Sequence, residues 1–178
     1  MTPFRIAIAL LIFGTLTACG KLDTVASAPP PPQPITVDAV GHYCGMNLTE
    51  HVGPKGQILL NDREQPVWFT TIKQLFAYTL LPEEPKGIRA LYVNDMGRMI
   101  NQDQPEVDTW IDARKAFYVI ESAVLGGMSV EDAMPFSDLA QAQEFANKNN
   151  GRIVRFDEMP ENYILNYDDA AQTMNMGN

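Results

Sequence analysis

The 178-residue chain has only two cysteines, Cys19 and Cys44, and only two histidines, His42 and His51. Two cysteines exclude a disulfide-dense scaffold and a zinc site built from cysteine alone. Basic residues are scarce as well: 13 Lys and Arg stand against 22 Asp and Glu, for a formal net charge of −9. A protein that tracks phosphates along a nucleic acid needs a basic face, so nucleic acid is not an expected partner. Gly-x-Gly-x-x-Gly and Walker sequences are absent, which argues against a bound nucleotide, and no Gly-x-Ser-x-Gly marks a serine hydrolase. No apolar run reaches the roughly 20 residues that a membrane-spanning helix requires. With 46% apolar and 20% charged residues the composition is that of a folded domain, not of a disordered chain.

One short apolar run opens the chain. Arg5 precedes Ile6 to Leu16, a basic and then apolar order that reads as an export signal over residues 1–18. The run ends in Leu16-Thr17-Ala18-Cys19, which resembles a bacterial lipobox, whose cysteine is lipidated and becomes the mature N-terminus. Cys19 is therefore the expected lipid anchor; several acyl chains on one residue hold a protein stably at a bilayer. Gly20, being other than Asp, resembles the sorting pattern that sends such proteins to the outer membrane, facing the periplasm. Removing Arg5 with the leader takes the charge from −9 to −10. Residues 19–34 contain Pro29-Pro30-Pro31-Pro32 and Pro34, a composition that favours extended polyproline II and predicts a stiff spacer, with folded structure starting near Ile35.

From 35 to 164 a β-β-α-β order occurs twice, in halves of about 40–100 and 110–160. Gln57 to Leu60 and Pro66 to Phe69 read as strands, Thr70 or Thr71 as the cap of a helix from Ile72 to Leu80, and Ile88 to Val93 as a third strand. Ala116 to Ile120, Ala133 to Phe136, a helix after Ser137 ending at Asn149-Asn150-Gly151, and Ile153 to Phe156 repeat that order. The predicted fold is α+β with mainly antiparallel sheet and helices packed on it. Residues 165–178 carry little periodicity and read as a flexible tail. The acidic pairs Glu83-Glu84, Glu131-Asp132 and Asp168-Asp169 read as solvated faces.

The chemistry concentrates in His42-Tyr43-Cys44-Gly45-Met46. With Cys19 lipidated, Cys44 has no disulfide partner, so its thiol is either inert or functional. In an extended segment residues i and i+2 share a face, which would set Cys44 and Met46, and also His42, side by side. A thiolate with a thioether is a soft donor pair, and soft sulfur selects Cu(I). Met128 follows Gly126-Gly127 on a loop and is the candidate third ligand; His51 is the candidate nitrogen ligand, with His42 weaker. The alternative for Cys44 and Met46 is plain packing, as a small hydrophobe and a gap filler. Met134 reads as core; Met96, Met99, Met174 and Met176 are weak copper candidates.

The residues Tyr43-Cys44-Gly45-Met46, His51 to Ile58, Asn94-Asp95, Trp110 to Ala113, Ala116 to Val119, Gly127-Met128 and Pro135-Phe136 resemble, in this order, the NosL family, accessory lipoproteins of nitrous oxide reductase. The resemblance implies a metallochaperone, not an enzyme. It would bind Cu(I) through Cys44, Met46 and Met128 and deliver it to the assembly proteins of the reductase's copper centres. The family also resembles organomercurial lyase in fold, but that enzyme uses a pair of cysteines, and the folded part of this chain has one. Two other readings stay open: a thiol redox or repair enzyme using Cys44, and a structural envelope lipoprotein with an inert thiol.

Overall fold

Gly56–Leu60 (β1) is one of two inner strands of a four-stranded sheet, and all five of its residues are buried, so both of its faces are covered. The computed structural model describes residues 28–99 and 109–165. The signal peptide, Cys19, most of the tail and Met174 and Met176 lie outside the described residues. Among the described residues no helix is long and apolar enough to cross a membrane. Val67–Phe69 (β2) and Ile88–Asn94 (β3) flank β1, and Trp110–Asp112 (β4) adds to β3, all antiparallel, in the order β2-β1-β3-β4. The second sheet runs β6-β5-β7, from Phe117–Ile120 (β5), Met134–Phe136 (β6) and Arg152–Arg155 (β7), again antiparallel. Each half therefore puts its first strand in the centre, its second on one side and its third on the other. The α+β class and the repeated β-β-α-β order both stand. Trp110–Asp112 falls in the second half by sequence position, yet its backbone joins the first sheet beside β3.

Ile72–Leu80 (α1) starts at Thr71, whose hydroxyl accepts the N–H of Gln74. It is wedged between the sheets. Ile58 and Leu60 from β1, Ile72, Leu75 and Phe76 from α1, and Tyr118 and Ile120 from β5 share one core. The alternate residues of β5, Phe117 and Val119, face Leu139–Asn149 (α2), which packs on the outer side of the second sheet through Ala142, Phe145 and Ala146. Met96 and Met134 are buried in that second core, and Met99 packs against it. The cap of α2 is Asp138, one residue later than Ser137, because the Asp138 carboxylate accepts the Gln141 N–H. Asn150 ends the helix in the left-handed conformation.

The proline-rich segment is not a free spacer. Gln57 is fully buried in β1, and its amide both donates to the Gln33 carbonyl at 2.9 Å and accepts the Gln33 N–H at 2.8 Å. Tyr92 on β3 donates to the Pro30 carbonyl at 2.6 Å. A polyproline backbone makes no hydrogen bonds of its own, so its carbonyls are available, and a buried amide needs partners. The folded structure accordingly begins near Pro30 and not at Ile35.

Candidate metal centre

Residues 41–46 form a turn at the edge of the first sheet, not an extended strand. Gly41 donates to Met46 O at 2.9 Å, Gly45 donates to Gly41 O at 2.8 Å, and Val40 bridges to Asn47. Gly45 sits at φ +64°, a conformation that costs glycine little, and this is what bends the chain. The same-face argument for His42, Cys44 and Met46 therefore fails, since alternation requires a strand. His42 N–H donates to Trp68 O at 2.8 Å and hangs the turn on β2. Its imidazole packs edge-on against Tyr43 and Tyr78, and Nε2 lies 3.1 Å from Glu84 Oε1. Tyr43 donates its hydroxyl to the same oxygen at 2.7 Å. Burial, with Glu84 second, pushes the Tyr43 phenol well up from its ordinary range. Glu84 is thus no solvated charge: it fastens the Cys44 turn to the loop after α1.

Cys44 is half-buried, and Met46 beside it is 42% exposed. The Cys44 sulfur lies 3.3 Å from the Thr70 hydroxyl, which in turn donates to Gln74 Oε1 at 3.1 Å. With its hydrogen given to Gln74, Thr70 accepts from the thiol; once the thiol is ionised the same hydroxyl can turn and donate to sulfur. Gly41 permits this approach, because a Cβ there would stand 2.6 Å from Cys44 Sγ.

Two other segments meet at the same place. A Cβ on Gly127 would lie 2.4 Å from the Thr70 carbonyl oxygen, and one on Gly53 would lie 3.1 Å from Gly127 N. The loop bearing His51 is thus packed on the loop bearing Met128, and that loop is packed on Thr70. The structure brings together the turn of Cys44 and Met46, the Met128 loop and the His51 loop. His42 it directs to Glu84. The imidazole of half-buried His51 makes no hydrogen bond or ring contact with the described residues. Met128, also half-buried, is in the left-handed region at φ 61°, as is Ser129 at φ 56°. Such residues cost about 1–3 kcal/mol each and persist only where surroundings enforce them. Here Gly126 donates to Val130 O and Leu125 bridges to Glu131.

Among the described residues no three of His, Cys, Asp and Glu are placed to hold a metal ion. The segments that meet carry a thiol, thioethers and an imidazole, donor types suited to a soft monovalent cation. Lys55 is buried beneath the His51 loop, its ammonium donating to the carbonyls of Val52 and Gly53; burial brings it down to about 8.

The model of the NosL family matches residues 32–164. The chain belongs to the NosL family. It is 38% identical over 165 residues to the copper-binding lipoprotein NosL of Achromobacter cycloclastes, covering 92% of this chain and 84% of that one. It is 33% identical to the copper-binding lipoprotein NosL of Stutzerimonas stutzeri, over 85% of this chain and 77% of the other. The crystal structure of the copper chaperone NosL from Shewanella denitrificans superposes with a TM-score of 0.69 at 32% identity, over 74% of this chain and 98% of that one. The two sheets and the wedged helix of this NosL-family chain are therefore those of a solved relative.

Sequence reasoning missed Thr70, Glu84 and Asp132. Thr70 looked like a helix cap, and the two acids looked like surface charge. The one available signal was Gly126-Gly127 directly before Met128: paired glycines mark close backbone approach.

Proposed function

We propose that this protein is a lipid-anchored carrier of Cu(I), tethered through Cys19 to the periplasmic side of the outer membrane. Cys44 supplies the thiolate, Met46 and Met128 the thioethers, and His51 the nitrogen donor. The carrier delivers the ion to the assembly proteins that mature the copper centres of nitrous oxide reductase. It is a carrier and not an enzyme. The observation that carries this reading is the half-buried Cys44 thiol on a turn with exposed Met46, beside the same Thr70 on which the loop of Met128 packs. The names of the relatives, copper-binding lipoprotein and copper chaperone, support the same cargo.

The geometry suits release as well as binding. A site on an exposed turn lets a partner's thioether or imidazole enter before the carrier's ligands leave, so the ion passes through a shared intermediate. Cu(I) keeps its charge throughout; only ligands exchange, and the Cys44 proton is displaced on loading. The test is an anaerobic titration of the lipidated chain in detergent against a chromophoric Cu(I) chelator. One tightly bound Cu(I) per chain is expected, with a loss of about 100-fold or more in Cys44→Ser, whereas Met174→Leu binds as the parent does. Undiminished binding by Cys44→Ser would overturn the assignment.

A further inference from the structure

Asp132 is fully buried, and its carboxylate crosses from one half of the molecule to the other. Oδ2 accepts the N–H of Ile72 at 3.0 Å, and Oδ1 accepts the N–H of Lys73 at 2.8 Å and of Ala133 at 2.9 Å. Ile72 and Lys73 are the first residues of α1, whose leading N–H groups have no partner inside the helix. Thr71 already caps that helix through Gln74, so the Asp132 contact is additional to an ordinary cap. The carboxylate also packs against the Met128 loop: a Cβ on Gly126 would meet Asp132 Cβ at 2.5 Å. Glu131 reinforces the seam, 3.7 Å from the Lys73 ammonium. One buried carboxylate thus joins the start of the helix that holds Thr70 beside Cys44 to the loop that carries Met128.

We infer that Asp132 is a positioning residue for the metal site, fixing the Met128 loop against Thr70 so that the Met128 thioether stays within reach of the Cys44 sulfur. The inference rests on the proposed copper site and goes beyond it by naming what sets the distance between ligands contributed by the two halves. Burial raises the Asp132 carboxyl to about 6 despite its three donors, so the clamp is held at a cost in stability. Such a cost is expected where geometry serves a site and not the fold.

A double-mutant cycle tests this on the lipidated chain, with Cu(I) affinity as the readout. Asp132→Asn keeps the shape but turns an amide N–H towards backbone donors. It should weaken Cu(I) binding about 10-fold in the parent, in keeping with the size of supporting-residue effects at metal sites, and less than twofold when Met128→Leu is already present. An equal loss with and without Met128→Leu would overturn the inference, since Asp132 would then act on the fold at large. No loss from Asp132→Asn while Met128→Leu weakens binding removes Asp132 alone. No loss from Met128→Leu removes Met128 from the site and the inference with it. Gly126→Ala presses on the same contact from the loop side and should show the same dependence on Met128. If Asp132→Asn does not fold, that variant decides by the same criterion.

Discussion

The two β-β-α-β halves have the same strand order and the same strand-to-helix junction, yet they do different work. In the first half the junction Phe69-Thr70-Thr71 is buried, and α1 buries Ile72, Leu75, Phe76 and Tyr78 between two sheets. In the second, Ser137 and Asp138 open a helix that buries only Ala142 and Ala146. Each half also lends an acid to the other's junction. Asp132 takes the first N–H groups of α1, and Asp95 takes the N–H of Ser137 at 3.2 Å and its hydroxyl. The exchange is reciprocal, but among the described residues only the first junction has a thiol beside it. Loops from both halves meet at the first junction, whose helix is wedged between layers.

The sharpest way to break this comparison is to cut the cores. Phe76→Ala should cost about 3–5 kcal/mol in urea unfolding, because the helix between two sheets cannot close the cavity. Phe145→Ala, partly buried on the outer helix, should cost roughly 1–2 kcal/mol. Equal losses would show that the two helices are equally embedded. Next is the pH dependence of the Asp132 clamp. Its carboxyl is raised from 3.8 to about 6, so the folded state binds the proton more tightly than the unfolded state. Stability is then greatest below the unfolded value and falls as pH rises to about 6. The fall should be on the order of 3 kcal/mol and be absent from Asp132→Asn, read by denaturation at steps from pH 4 to 7.

A smaller effect concerns the proline-rich segment, the strap that Gln57 and Tyr92 hold to the first sheet. Gln57→Ala should cost about 1–3 kcal/mol, because it leaves the Gln33 backbone without its partner. Protease cleavage ahead of Ile35 should become faster in that variant; unchanged cleavage would mean the strap is held by something else. The smallest difference is between the two caps. Asp138→Ala should cost about 1 kcal/mol and Thr71→Ala less, since α1 retains Asp132 as a second acceptor. A larger loss at Thr71 would argue that Asp132 contributes little to the helix start.

Local elements were legible in the sequence because local chemistry makes them. Thr71, one of the two candidate caps, opens the helix, and the strand from Ile88 and the Asn150 terminus fell where period and turn residues put them. The errors came where a residue's environment is supplied from far along the chain. Gln57 and Gln33 are 24 residues apart, His42 and Glu84 are 42 apart, and Asp132 is 60 from Ile72. No local pattern distinguishes an acid that caps a distant helix from one in water. Cys44-x-Met46 was visible as a donor pair, but the turn that presents it required Gly45 at φ +64° and the bond from Gly45 to Gly41.

By itself, the sequence determined which donors this protein has. A single folded-domain thiol, two histidines and a loop methionine after paired glycines supply soft and borderline donors, and side-chain type is what makes a ligand soft or hard. Tertiary structure decided which donor-bearing segments pack together. It turned His42 to Glu84, packed the His51 loop on the Met128 loop and that loop on Thr70, and set the Asp132 carboxylate on the first N–H groups of α1 beside Gly126. Distance between residues remote in sequence is a property of how layers pack, and packing is set by the whole core.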